Sequence, residues 1–139
     1  MIRRYKPVRP PGRILPVAYG VSDGERVVGI MDDQNFNTTS FSFDQTKYRE
    51  IRLPGAPSAI VYGINGDGNS LAGVTALVVT APGFVYRKGI LQTLQFPGGK
   101  GTVAYGVNNA GEVIGLFAYE GDAITHCFLW TPPSDVATK

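Results

Sequence analysis

The chain has 139 residues, a formal net charge of +2 and one cysteine. A chain of this length buries about two thirds of the surface that its unfolded form exposes, so we expect a single domain over residues 1–139. A lone cysteine excludes an intrachain disulfide framework, and no apolar run approaches the ~18 residues that a membrane span requires. The 18 Gly and 10 Pro, set among stretches rich in Val, Ile, Tyr, Phe and Thr, leave little room for helices.

Basic residues crowd the start of the chain, between Arg3 and Arg13. A solvated terminal segment explains them, and charges of both signs are scattered over the rest of the sequence. A nucleic-acid groove is therefore not indicated. The same residues contain no apolar signal core, so the sequence leaves the compartment unknown.

The first predicted element is a strand over Tyr5–Gly12, with the sequence YKPVRPPG. The same pattern of apolar residues, a basic residue and a final Pro-Gly recurs at Tyr48–Gly55, 43 residues later, and the apolar residues and the Pro-Gly recur again at Leu91–Gly98. Proline within the first copy suits an edge strand, which can spare hydrogen-bond donors. We therefore expect the three segments to be the same strand of a repeated unit.

Three repeats follow in chain order, over residues 17–55, 60–98 and 103–131. Each opens on a Tyr-Gly pair, and the pattern after the pair indicates a tight turn and a second strand that ends in glycine. A loop of variable length precedes a third strand, predicted to begin at an aromatic residue. The pairs are Tyr19-Gly20, Tyr62-Gly63 and Tyr105-Gly106, the closing glycines are Gly29, Gly73 and Gly115, and the aromatic residues are Phe41, Phe84 and Phe128.

The third repeat lacks a fourth strand after Trp130, whereas Tyr5–Gly12 supplies one at the other end of the chain. Four-strand units of about 40 to 45 residues with a displaced strand are typical of β-propeller blades closed by strand exchange. Propellers have about four to eight blades, so three are too few for one chain. We expect a six-bladed β-propeller formed by a head-to-tail homodimer. The alternative is a monomeric threefold β fold, a β-trefoil or a β-prism, in which Tyr5–Gly12 pairs within its own chain.

The repeats resemble those of the bacterial extracellular HAF-type family, whose units read approximately AYGIN, a turn, VVG, a spacer and HAFLW. The third repeat is closest, with AYGVN over residues 104–108, VIG over residues 113–115 and HCFLW over residues 126–130. Thr39-Ser40-Phe41 and Pro82-Gly83-Phe84 lack the histidine of the family motif. The resemblance implies a propeller-forming repeat domain of secreted bacterial proteins, without a chemical activity that could be carried over.

Sequence motifs for catalysis or metal binding are weak. His126 and Cys127 are adjacent, so on a strand they point to opposite faces and do not form a nucleophilic pair. One histidine and one cysteine do not make a zinc site, and we expect no cofactor and no metal. Asn65–Asn69, with the sequence NGDGN, lacks a later bidentate acid and is interpreted as a hairpin turn. Asp32-Asp33 is interpreted as solvated loop.

The candidates for ligand binding are the polar residues after the first strands, Ser22, Asn65 and Asn108, and the repeated tyrosines, Tyr19, Tyr62 and Tyr105. The polar residues are expected near the axis of the ring, and the tyrosines to stack between blades or on sugars. We expect a non-catalytic binding or scaffold module; the alternative is a lectin-like, carbohydrate-binding protein with repeated inter-blade sites. The expected partner is a second copy of the chain, with a glycan or small polar ligand as a further candidate, and neither a nucleic acid nor a membrane.

Overall fold

The computed structural model describes residues 4–133. That part of the chain consists of strands, turns and extended segments without a helix, which confirms the all-β prediction. It accordingly offers no helix long and apolar enough to cross a membrane. Three separate antiparallel sheets follow one another along the chain, with four, four and three strands, and they do not close into a barrel.

The sheets keep the chain order of their strands, with each strand hydrogen-bonded to the next. Sheet 1 contains β1 (Ile14–Val21), β2 (Val27–Asp32), β3 (Thr38–Phe43) and β4 (Tyr48–Ile51). Sheet 2 contains β5 (Ile60–Ile64), β6 (Ser70–Val74), β7 (Gly83–Arg87) and β8 (Ile90–Leu94). Sheet 3 contains β9 (Gly99–Val107), β10 (Val113–Tyr119) and β11 (His126–Trp130). The third strands begin before the aromatic residues that were expected to open them, and β4 and β8 end before their Pro-Gly.

Each sheet is built around a glycine in its second strand. Gly73 lies opposite Phe84, and a Cβ atom at Gly73 would overlap the carbonyl oxygen of Ile60 in the neighbouring first strand. A Cβ atom at Gly29 or at Gly115 would likewise overlap the equivalent carbonyl oxygen in the first strand of its own sheet. Only glycine allows the first strand to come this close, because any side chain would displace its backbone. The recurrence of this contact in all three sheets shows that the repeats share one internal geometry.

Sheet 2 lies between sheet 1 and sheet 3, and two apolar cores fill the junctions. At each junction the first strand of the later sheet packs against the preceding sheet, so that β5 contacts β1 and β2, and β9 contacts β5, β6 and β7. The first core contains Val28, Leu53, Ala56, Ala59, Val61, Ile64 and Phe84. The second contains Ala72, Val85, Leu94, Ala104 and Val113. Burial of these apolar faces is the main stabilising contribution of the fold.

One hydroxyl group ties sheet 1 to sheet 2. The buried Ser40 Oγ in β3 donates to the carbonyl oxygen of Ala59 at 3.1 Å and accepts from the amide of Val61 at 2.9 Å. Gly83 occupies the same position in sheet 2. Because it has no side chain, the backbone of Thr102 and Ala104 comes close to it, and a Cβ atom at Gly83 would lie 3.2 Å from each. Both junctions therefore place the third strand of one sheet against the first strand of the next in the same register.

The segment Tyr5–Gly12, which was predicted as a displaced strand, is not paired with any strand in the described residues 4–133. It leads into β1 and lies beside sheet 1, where the amide of Arg9 donates to the hydroxyl oxygen of Tyr48 at 2.8 Å. The monomeric threefold alternative requires this segment to pair within its chain, and a β-trefoil also requires a closed barrel. Neither feature is present in residues 4–133.

Candidate functional site

The turns between first and second strands lie side by side at one end of the three sheets. The amide of Asp23 donates to the carbonyl oxygen of Gly66 at 2.8 Å, and the amide of Asp67 donates to Asn109 Oδ1 at 3.0 Å. The first turn therefore contacts the second, and the second contacts the third. The turns that the sequence predicts near a ring axis are thus neighbours at one end of the three sheets. The contacts at Asp23, Gly66 and Asn109 were missed, although these residues directly follow the Ser and Asn positions and share their 43-residue spacing.

The three predicted polar residues each brace their own turn. Ser22 Oγ accepts from the amide of Arg26 at 3.0 Å, Asn65 Oδ1 accepts from the amide of Ser70 at 2.8 Å, and Asn108 Oδ1 accepts from the amide of Glu112 at 2.9 Å. In every repeat the donor amide belongs to the residue at which the chain leaves the turn and enters the second strand or the position directly before it. Ser22 and Asn65 are buried, and Asn108 is exposed. Their side-chain oxygens stabilise the hairpins, so a ligand would have to compete with these bonds.

The three tyrosines form a continuous row across β1, β5 and β9, the first strands of the three sheets. Tyr19 and Tyr62 have ring centroids 4.9 Å apart in an edge-to-face contact, and Tyr62 and Tyr105 have centroids 5.0 Å apart. Each tyrosine lies at the register shift between the first and second strand of its sheet, and such bulges redirect a side chain. Burial raises the pKa of the central Tyr62, with smaller contributions from Tyr105 and Tyr19. The three rings therefore contact one another in sequence, with Tyr62 in the middle.

His126 and Cys127 lie next to each other on the regular edge strand β11 and point to opposite faces of sheet 3. His126 Nε2 is 2.9 Å from Asp122 Oδ2, and the imidazole stacks on Phe117 with ring centroids 5.3 Å apart. The hydrogen bond with His126 is the largest cause that lowers the pKa of Asp122. Cys127 is exposed and takes no part in this cluster.

The remaining acidic motifs also stabilise local structure. Within residues 4–133 no group of three or more His, Cys, Asp or Glu residues is arranged to hold a metal ion. Asn65 Nδ2 donates to Asn69 Oδ1 at 2.8 Å, as expected of a hairpin turn. Asp33 Oδ1 accepts from the amides of Asn35 and Asn37, and the bond from Asn37 is the largest cause that lowers the pKa of Asp33.

In the part of the chain that the structure describes, two apolar faces at opposite ends of the row of sheets have no neighbouring sheet. The free face of sheet 1 carries Val21, which is 63% exposed, although the equivalent Ile64 of sheet 2 is buried. The free face of sheet 3 carries Ile114 and Leu129, which are 57% and 65% exposed. Their equivalents on sheet 2, Ala72 and Val85, are buried in the second core. Sequence analysis did not single out these faces, because apolar residues at strand positions do not reveal which faces lack a neighbour.

Comparison with protein-family models, curated protein sequences and solved structures finds no match for this chain. The similarity to HAF-type repeats therefore remains an expectation from the sequence.

Proposed function

We propose that the protein is a non-catalytic binding or scaffold module that assembles head to tail, with two chains forming a six-bladed β-propeller. Each sheet corresponds to one blade, and the tyrosine row and the cluster of turns lie along the inner strands. The ring presents the turns of both copies at one mouth. A ligand or a partner protein would bind at this polar surface, while the sheets provide a rigid frame.

The observation that carries this proposal is that the free faces of sheets 1 and 3 match the two faces that pack together at each internal junction. The position directly before the second-strand glycine is buried at Val28 and Ala72 and exposed at Ile114. The position two residues after each repeated tyrosine is buried at Ile64 and exposed at Val21. The two free faces are thus the two halves of a contact that occurs twice within the chain.

A contact between two different faces is heterologous, so it produces either a closed ring or an open filament. Two chains supply six blades, which lies within the range of about four to eight blades that propellers adopt. A closed ring buries both apolar faces of each copy and leaves none of them in water. Closure with two chains therefore accounts for the exposed apolar residues with the smallest assembly.

The test is the solution mass of three single variants, measured by light scattering over a range of concentrations. The unaltered chain is expected at twice 14.9 kDa. Val21→Asp and Ile114→Asp would each place an unpaired charge in an apolar junction, at a cost of about 3 kcal/mol or more per junction. We expect both variants to dissociate into monomers at concentrations at which the unaltered chain is a dimer.

Phe36→Asp is the matched control, because Phe36 is an equally exposed apolar residue that lies in the loop between β2 and β3, outside both free faces. It is expected to remain a dimer. An unaltered chain that is monomeric at all accessible concentrations would disprove the assembly. A dimer that resists both aspartate substitutions would show that other surfaces hold it together.

A further inference from the structure

We propose that Tyr5–Gly12 is the fourth strand of sheet 3 in a second copy of the chain, with Val8 opposite the partner's Cys127 and Tyr5 opposite the partner's Trp130. This inference rests on the head-to-tail assembly proposed above and specifies how the two copies are joined. It assigns a donor strand, an acceptor edge and a residue-by-residue register.

The donor segment has the backbone of a fourth strand that turns into the next sheet. Its Gly12 has a φ of +70°, close to the values of +85° at Gly55 and +78° at Gly98, which follow β4 and β8. The amide of Arg13 donates to the carbonyl oxygen of Pro10, as Ala56 does to Leu53 and Gly99 does to Phe96. These turns recur in steps of 43 residues. The first of them has formed although no strand of its own chain pairs with the segment before it.

The segment also lies on the correct side of sheet 1. Tyr48, whose hydroxyl accepts from the amide of Arg9, is three residues from Ile51 on β4, so the two side chains point to opposite faces. Ile51 packs against the core between sheets 1 and 2. Tyr48 therefore points to the free face, where the fourth strand of a preceding blade would lie. Sheet 2 separates this place from β11 of the same chain, which favours an acceptor in another copy.

The acceptor is the open edge of β11, which pairs with β10 on one side only. A groove of about 640 Å³ lies between sheet 2 and the residues that directly follow β11, and its lining includes Ile90, Gln92, Glu112 and Thr131. At the preceding junction the partly buried Leu91 packs against the core from the fourth strand. Tyr5 is the residue of the donor segment that corresponds to Leu91, so its side chain would enter the groove.

The register follows from the two complete sheets. In sheet 1 Ser40 lies opposite Ile51, and in sheet 2 Gly83 lies opposite Leu94. Cys127 is the third-strand equivalent of Ser40 and Gly83, because all three precede the phenylalanine that faces the second-strand glycine. Val8 is the fourth-strand equivalent of Ile51 and Leu94 in the 43-residue spacing. Val8 is thus assigned to the position directly opposite Cys127.

The aromatic residues at the other end of the strand pair agree with this register. Phe43 and Tyr48 lie opposite each other and stack with ring centroids 4.1 Å apart. Trp130 is the equivalent of Phe43, and Tyr5 precedes Tyr48 by 43 residues. Tyr5 is 85% exposed in the isolated chain. Strand exchange would cover it by stacking it on the indole of the partner's Trp130.

The experiment uses Val8→Cys in the full chain, in which Cys127 is the only other cysteine. Directly opposed residues on antiparallel strands have Cα atoms about 4.5–5.5 Å apart, within the range of disulfides. Mild oxidation is expected to give a covalent dimer on a non-reducing gel. Pro7→Cys is the matched control, because its side chain would point to the other sheet face and should give little cross-linking. Val8→Cys combined with Cys127→Ser should give none.

The outcomes separate this inference from the assembly itself. A dimer by light scattering that does not cross-link through Val8→Cys would overturn the strand exchange and leave the head-to-tail ring intact. Loss of both thiols without a covalent dimer would mean that the segment pairs with its own β11. A ladder of larger cross-linked species would support the exchange and overturn closure with two chains. A monomeric variant with free thiols, matched by a monomeric unaltered chain, would remove both proposals.

Trp130 provides a second readout, because it is the only tryptophan of the chain. Tyr5→Ala is expected to shift its fluorescence emission to longer wavelength by exposing the indole to water, whereas Lys6→Ala, on the neighbouring position, should leave the emission unchanged. Equal spectra for all three proteins would overturn the assigned contact between Tyr5 and Trp130.

Discussion

At the scale of single residues, the repeat depends on positions where a side chain cannot fit. Gly73 and its equivalents bring the first strand so close that a Cβ atom would overlap a backbone carbonyl. The tyrosine bulges lie beside this contact, and they turn the three aromatic rings toward one another. In all three sheets the repeated glycine therefore lies beside the bulge that positions a ring of the tyrosine row.

Gly73→Ala is expected to lower the free energy of unfolding by about 3 kcal/mol, because the new methyl group must displace the backbone of β5. Urea unfolding followed by circular dichroism measures this change. Gly24→Ala is the matched control, since a Cβ atom there would meet only Ser22 Oγ, at 4.0 Å, and the glycine does not have a positive φ. Equal stability of the two variants would show that β5 adjusts without cost and that the close approach is not required.

At the scale of elements, apolar packing joins the sheets, and at the junction of sheets 1 and 2 hydrogen bonds from the third strand add to it. Ser40 makes two such bonds from a buried position in β3, to Ala59 and to Val61. Gly83 has the same position at the next junction, where the absence of a side chain allows the backbones of β7 and β9 to approach each other. Cys127 occupies this place on the free face of sheet 3. A small residue there is compatible with the neighbouring sheet that the assembly would supply.

Ser40→Ala removes the hydroxyl and leaves a buried amide and a buried carbonyl without their partner, so we expect a loss of about 1–3 kcal/mol in the free energy of unfolding. Ser42→Ala, two residues along the same strand and half-buried, is the comparison and should change stability by less than about 0.5 kcal/mol. Both are measured by urea unfolding. A similar effect of the two substitutions would mean that the bridge contributes no more than general strand propensity.

At the scale of the whole molecule, the proposed ring couples folding to assembly. Each chain has one free face at either end, and the exposed apolar residues of these faces would be removed from water only in the assembly. A partner that binds the folded chain and not the unfolded chain raises apparent stability by mass action. The stability of the chain should therefore depend on its own concentration.

We expect the thermal midpoint of the unaltered chain to rise as protein concentration rises, because the dimer is favoured over two unfolded chains at high concentration. Differential scanning fluorimetry or calorimetry over a hundredfold range of concentration measures this shift. Val21→Asp is expected to abolish the concentration dependence and to unfold at the lower midpoint. A midpoint of the unaltered chain that is independent of concentration would contradict an assembly coupled to folding.

The sequence by itself determined the all-β class, the three repeats and the hairpin turns, because glycine positions and Pro-Gly stops act through local backbone geometry. It also placed Asn65–Asn69 in a turn, and Asn65 does brace one. Only the tertiary structure decided that the three tyrosines touch one another, since their contact depends on bulges in three different sheets. It also revealed that Val21, Ile114 and Leu129 are exposed on faces that no other sheet covers within residues 4–133. An apolar residue has the same local signature in a buried junction and on a free face, and only the packing of whole sheets separates the two.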